Sequence, residues 1–363
     1  MNRNAVITLI FLGPVLLSCA NDARTSQSRS PTDGGDDRDS QGAEGGGSHL
    51  PAPSMFFAAK RGGSNLEIWR ASLDMSDATP VTDDARFSSW WPRSSPTDNL
   101  VYFYRTPSSS TLETNNYEEA SLWKMKRDGT DAREVRPSGT DGWKAQGVID
   151  FSPDGQRVVM AGMVPEGNQA NWHLFVANAD LSNLKKITTR GPLFLDPSWS
   201  PDGKRVVYVS IPEDQVITPE DLLDPLKVQS YFEIFTSKAD GTDEQRVTYD
   251  SIRDHDPYWS PDGREIVFES AVRPTTPPGL GTWALRAAPA TGGEVRTVLD
   301  DGNINTVGRW TRDSRELYFH RLVFDPLQGW HIAKINRDGT DLVRVTPMGI
   351  DDDQEVDLFY PAP

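Results

Sequence analysis

The chain has a single cysteine, Cys19, and only five histidines among 363 residues. One cysteine excludes a disulfide framework, a cysteine-based zinc site and a thiol nucleophile in the folded part of the molecule. Basic residues are scarce too: 37 Lys and Arg stand against 53 Asp and Glu, giving a net charge of -16. So acidic a surface repels polyanions, which argues against a nucleic-acid partner, although the same charge also serves solubility. There is no Gly-x-Ser-x-Gly elbow, no His-Glu-x-x-His and no phosphate-binding loop. Gly279-Leu-Gly-Thr-Trp-Ala284 matches a dinucleotide fingerprint in spelling alone, because a strand pattern and not a helix follows it.

What the chain does contain is a repeated phrase. Phe151-Ser-Pro-Asp-Gly155, Trp199-Ser-Pro-Asp-Gly203 and Trp259-Ser-Pro-Asp-Gly263 each precede an alternating apolar run, with degenerate copies at Trp310 to Ser314 and Trp91 to Asp98. In such a corner proline presets the first turn residue, aspartate suits the second, and glycine takes the left-handed conformation that sends a strand back antiparallel. The runs that follow, such as Arg205-Val-Val-Tyr-Val-Ser210 and Glu265-Ile-Val-Phe-Glu-Ser270, are β-branched and alternate, so they predict strands. A second corner, Asp-Gly-Thr, recurs at residues 128, 240 and 338. Two hairpin corners per unit and a period near 50 residues predict four-stranded blades arranged radially.

Counting second strands from Met55-Phe-Phe-Ala-Ala59 onward predicts an all-β, six-bladed β-propeller of four-stranded antiparallel blades over residues 51–363. The first unit lacks its first strand, and Glu355-Val-Asp-Leu-Phe-Tyr360 is a first strand with no sequel. The expectation is that the C-terminal strand joins the N-terminal blade and closes the ring, which also removes an unpaired edge. Asp196-Pro-Ser-Trp-Ser-Pro-Asp-Gly203 and Asp256-Pro-Tyr-Trp-Ser-Pro-Asp-Gly263 resemble the repeat of TolB-type, WD40-like (PD40) six-bladed propellers. The resemblance covers roughly residues 54 to 360 and implies a protein-interaction fold. TolB itself also carries an N-terminal α/β domain, for which the polar segment after Cys19 has no counterpart.

Residues 1–18 read as an export signal, with Arg3 near the amine and an apolar run from Ala5 to Leu17 too short for a comfortable membrane span. Leu16-Leu-Ser-Cys19 resembles the bacterial lipobox, which implies acylation of Cys19 and, with Ala20 next, an outer-membrane address. Residues 19–50 have almost no apolar side chain and predict a flexible tether with a reach of roughly 30 Å. The membrane is thus expected as a partner through the N-terminal lipid.

Insertions fall on one face of the expected disc, at residues 106–120, 162–171, 211–230 and 271–281, and loops of that kind carry binding sites in repeat proteins. The first strands bring Asp150, Asp196, Asp254, His255 and Asp256 to the channel mouth there, where one sign of charge concentrates basic groups. Asp196 and Asp256 each precede proline and so also suit a turn-initiating role. Thr218-Pro-Glu-Asp-Leu-Leu223 predicts one helical turn, stopped at Asp224-Pro225, that either presents Leu222 and Leu223 outward or folds them back over the blade. The function expected is that of a non-catalytic cell-envelope lipoprotein binding a protein or peptide through this acidic face, with no catalytic residue, metal or cofactor assigned.

Two alternatives stay open. Oligogalacturonate lyases have a similar propeller and hold a divalent metal on channel histidines, but here only His255 is expected at the channel. Oxygen ligands from Asp196, Asp254 and Asp256 would suit a structural divalent cation in the channel.

Overall fold

The computed structural model describes residues 52–361 apart from 62, 64, 111, 113, 190, 192, 219, 222–224, 251, 274–280, 325 and 351. The Cys19 signal, the tether and Leu222 and Leu223 therefore lie outside the described residues. Strands β1 (Ser54–Ala59), β2 (Glu67–Ser72) and β3 (Thr79–Pro80) form an antiparallel sheet completed by the last strand, β24 (Asp353–Phe359). A second sheet holds β4 (Phe87–Ser94), β5 (Leu100–Pro107), β6 (Ser121–Lys126) and β7 (Arg133–Arg136). The third holds β8 (Ala145–Phe151), β9 (Arg157–Glu166), β10 (Gln169–Asn178) and β11 (Lys185–Lys186). The fourth holds β12 (Phe194–Trp199), β13 (Arg205–Ser210), β14 (Glu233–Lys238) and β15 (Gln245–Arg246). An eight-stranded sheet follows, made of β16 (Asp254–Trp259), β17 (Glu265–Arg273), β18 (Thr282–Pro289) and β19 (Arg296–Leu299), then β20 (Ile304–Trp310), β21 (Glu316–Phe324), β22 (Leu327–Asn336) and β23 (Val343–Arg344). One parallel pairing, Trp283 with Ile304, joins its two antiparallel halves. The result is a propeller of small antiparallel sheets, as the repeat implies.

The corner residues behave as their chemistry requires. Ser152, Ser200, Ser260 and Thr311 each donate a side-chain hydroxyl to the aspartate two residues on, and accept the amide five residues on, all at 2.6–3.0 Å. In the second corner the backbone and hydroxyl of Thr130, Thr242 and Thr340 both donate to the preceding aspartate. A third device was not anticipated. Thr82, Thr188, Thr248 and Thr346, just after the fourth strands, accept the amides of Ile68, Leu174, Ile234 and Ile332 through Oγ1, pinning short outer strands that have little backbone pairing of their own.

Three expectations need correction. The 162–171 insertion is not a loop: β9 and β10 pair from Arg157–Asn178 out to Glu166–Gln169, so the hairpin projects as strand. Pro225, expected only to stop the turn begun at Thr218, opens a further short helix, α1 (Pro225–Gln229), because proline is tolerated at a first helical position. The turn at Thr218 begins as expected, with Thr218 and Asp221 exchanging capping hydrogen bonds and Asp221 in a 3-10 turn, and its continuation over 222–224 lies outside the described residues. Finally, Trp91 is not the counterpart of Trp199: Ser94 pairs with Val101 as Trp199 pairs with Val206, which leaves Trp91 at a different position.

Candidate functional site

That position is a bulge. In β4, β12, β16, β20 and β24 the register against the next strand slips by one residue, and the extra residue has positive φ: Trp91, Asp196, Asp256, Val307 and Glu355 at 47° to 58°. A bulge re-aims side chains and exposes an amide. Here side chains of other strands answer those amides: Glu355 accepts from Trp91 N at 2.7 Å, Glu269 from Val307 N at 2.6 Å, and His320 Nδ1 from Glu355 N at 2.9 Å. His320 must be neutral to accept, and burial holds its pKa down at about 3.

The bulges line a cavity of about 90 Å³ on the long-loop face. Its acids are Asp196, Asp256, Glu269 and Glu355; Arg253, His255 and His320 are its other titratable walls besides Tyr117, and Trp91, Trp283 and Trp330 supply aromatic faces. Asn115 lies at its rim, and the neighbouring Thr114 donates its hydroxyl to Glu355 at 2.5 Å. His255 Nδ1 lies 2.8 Å from Asp196 Oδ2, and its Nε2 has no hydrogen-bond partner among the described residues. Asp256 is 9% exposed, and its Oδ1 likewise has none.

Burial dominates the electrostatics. It raises Asp256 well above the ordinary carboxylate range, helped by the charges of Asp196 and Glu269. It raises Glu269 to about 8, against the opposing bond from Val307 N, and Glu355 to about 7. Burial also lowers His255, with Arg253 adding to the effect, and lowers Arg253 to about 10. Near neutral pH Glu269 therefore holds its proton, Glu355 is close to half protonated and His320 is neutral.

Two residues further along the first strands a polar plug lies buried beside the cavity. Arg93 donates to Tyr258 Oη at 2.6 Å, the Arg309 guanidinium stacks 3.3 Å from the Tyr258 ring centroid, and both arginines lie 3.9 Å from Asp357. Asp150 belongs to this layer: it accepts Trp199 N at 2.8 Å, and burial raises it to about 6.

The expected acids thus divide. Asp196, Asp256 and His255 share the cavity, whereas Asp150 does not line it. Asp254 is withdrawn from the mouth altogether: it is fully buried, accepts Ser270 Oγ at 2.6 Å and faces Arg286, because alternation along β16 turns it to the side opposite His255. Much of the outer acidic face is also neutralised internally, through Arg105 and Arg86 with Asp84, Arg273 with Asp300 and Arg321 with Asp301. Sequence reasoning missed Glu269, Glu355 and His320. The available signal was a polar residue at the centre of an otherwise apolar strand.

No family model matches the chain. A dipeptidyl-peptidase 5 of Porphyromonas endodontalis is 26% identical over 129 residues, 35% of this chain and 16% of that protein. An uncharacterized protein of Agrobacterium fabrum is 30% identical over 121 residues, 33% of this chain and 34% of its own. The chain thus spans a minor part of the curated relatives it matches. Among solved structures, TolB from Acinetobacter baumannii superposes with a TM-score of 0.61 at 13% identity, covering 85% of this chain and 67% of that one. A chain of a nidogen/laminin complex gives 0.60 at 11% identity, covering 86% and 100%. An oligogalacturonate lyase from Vibrio parahaemolyticus gives 0.50 at 12%, covering 80% and 73%. At these identities the likeness is one of fold.

Proposed function

We propose that the chain is a non-catalytic, six-bladed propeller that binds a protein or peptide partner at the long-loop face. The two halves of the eight-stranded sheet count as separate blades, since a single residue pair joins them. Exported and held by a lipid on Cys19, with residues 19–50 as its tether, it would work in the bacterial envelope, at the outer membrane. The observation that carries the reading is the loop-face cavity itself, lined by Asn115, Trp330 and four acids, in which Asp256 Oδ1, His255 Nε2 and Trp91 Nε1 have no hydrogen-bond partner among the described residues. TolB-like and nidogen-like folds support a propeller used for protein contact.

The test is a photo-crosslinking residue placed at Asn115 and, as control, at Lys204 in an exposed corner on the opposite face. Capture of the same discrete envelope protein from Asn115 and not from Lys204 is expected. Capture of nothing from Asn115, or equal capture from both, would reject the reading.

The Asp196–His255 pair favours one second reading, acid–base chemistry of the lyase type, with His255 as base. The metal that lyases employ finds no ready site in the cavity. Three acidic or imidazole ligand atoms within 4.8 Å of one another occur once among the described residues, at Glu233, Asp250 and Asp254, outside it. Arg246 and Arg286 already pair with that cluster. Turnover of oligogalacturonate by the purified chain would decide for the lyase.

A further inference from the structure

We propose that the loop-face cavity is a receptor for a guanidinium group, the side chain of an arginine presented by the partner. The inference rests on reading the cavity as the binding site and goes on to name the chemistry that fills it.

Four observations lead there. First, Asp256 lines the cavity and keeps one buried carboxyl oxygen that has no hydrogen-bond partner among the described residues, and a buried polar oxygen without a partner is costly. A ligand carrying N–H groups removes that cost. Second, the four carboxyl groups come from different strands, β12, β16, β17 and β24, and surround the space instead of converging on one point. No three of them bring ligand atoms within 4.8 Å of one another, so a small metal ion is a poor match. A planar cation with five divergent donors fits better. Third, two of the indole walls already hold guanidinium groups, Arg253 4.9 Å from Trp283 and Arg93 5.0 Å from Trp91, which shows that these faces accept that geometry. Fourth, the acids outnumber the single arginine that lines the space, because Arg93 below is committed to Tyr258 and Asp357.

Binding is then linked to protons. Around Asp256 stand Asp196, Glu269 and Glu355 from neighbouring strands, Arg253 and His255 on its own segment, His320 from β21, Arg93 from β4 and Tyr117 from the overlying loop. Near neutrality Glu269, at about 8, carries a proton and Glu355, at about 7, carries one about half the time. An incoming cation favours their charged forms, so it expels protons. Affinity rises with pH across roughly pH 6 to 8, up to about tenfold per pH unit for each proton released.

The experiment is calorimetric titration of the full chain with Nα-acetyl-argininamide, in two buffers of different ionisation enthalpy at about pH 6, 7 and 8. The expected Kd is about a millimolar or tighter at the highest pH, falling as pH rises, with protons released into the buffer. The neutral isostere Nα-acetyl-citrullinamide should not bind, and Asp256→Asn, checked for an unchanged melting profile, should weaken arginine binding at least about tenfold. No binding of the arginine probe at any pH, equal binding of citrulline or of Nα-acetyl-lysinamide, or affinity independent of pH would overturn the proposal. The wild-type pH series stands even if the variant fails to fold. If the probe binds and crosslinking from Asn115 captures nothing, the interaction reading fails and this one survives. Capture without probe binding gives the reverse.

Discussion

Glu269 shows how much one buried carboxyl group can govern. Its pKa is raised from an ordinary carboxylate value to about 8, so the folded state binds a proton that the unfolded chain has lost. For an acid raised in this way stability is greatest at low pH and declines as pH rises, from the unfolded pKa up through about 8, by on the order of 1 kcal/mol per pH unit. Glu269→Gln retains an oxygen to accept Val307 N and removes the titration. Its melting temperature is therefore expected to exceed the wild type's at about pH 8 and to match it at about pH 5. Equal differences at both pH values would contradict the assignment. At this scale the sequence was half legible. Asp196 and Asp256 announce themselves through Asp-Pro before a tryptophan motif, but Glu269, Glu355 and His320 are ordinary strand residues until the ring turns them inward. Asp254 misled for the same reason, since being one residue from His255 on a strand means facing the other way.

At the scale of the element, corners and bulges divide the work. The corners fix each sheet and also join it to its neighbour. Gly339 has φ +86° and a Cβ there would sit 2.5 Å from the Val298 carbonyl in the other half of the eight-stranded sheet, while Gly129 of the second sheet has the same relation to Val81, beside the first, at 2.6 Å. Gly339→Ala is therefore expected to lower stability by roughly 1–3 kcal/mol in urea unfolding, combining left-handed strain with a contact that must open. A change within about 0.5 kcal/mol would show that the corner is free to move. These corners were legible because Pro, Asp, Gly and Ser each have a distinct local preference. The bulges were not, because an extra residue in a strand is set by pairing across the sheet and leaves no fixed spelling: Trp91, Val307 and Glu355 share a conformation and no chemistry. The cap at Thr218 was legible from its spelling, whereas α1 was missed by treating Pro225 only as a stop when its ring suits a start equally well.

In the molecule as a whole, the last strand carries weight out of proportion to its length. β24 pairs with β1 over five residue pairs from Ser54–Phe359 to Ala59–Asp353, and without it the buried Met55–Ala59 run becomes an open apolar edge. Deleting residues 353–361 is expected to abolish cooperative unfolding and to shift the chain into aggregates by size-exclusion chromatography. A monomeric, cooperatively melting truncation would refute the closure. This pairing was readable from an orphan first strand at one end and a missing one at the other. What the sequence did not disclose is that β24 also delivers Glu355 to the cavity wall and Asp357 to the arginines of the plug. A consequence concerns time. Strand β1 waits for β24, far later in the chain, so the cavity has no wall at Glu355 until β24 has been made. A chain clipped before β24 would lack Glu355 and with it one wall of the cavity, so an intact cavity reports that both ends of the propeller have met.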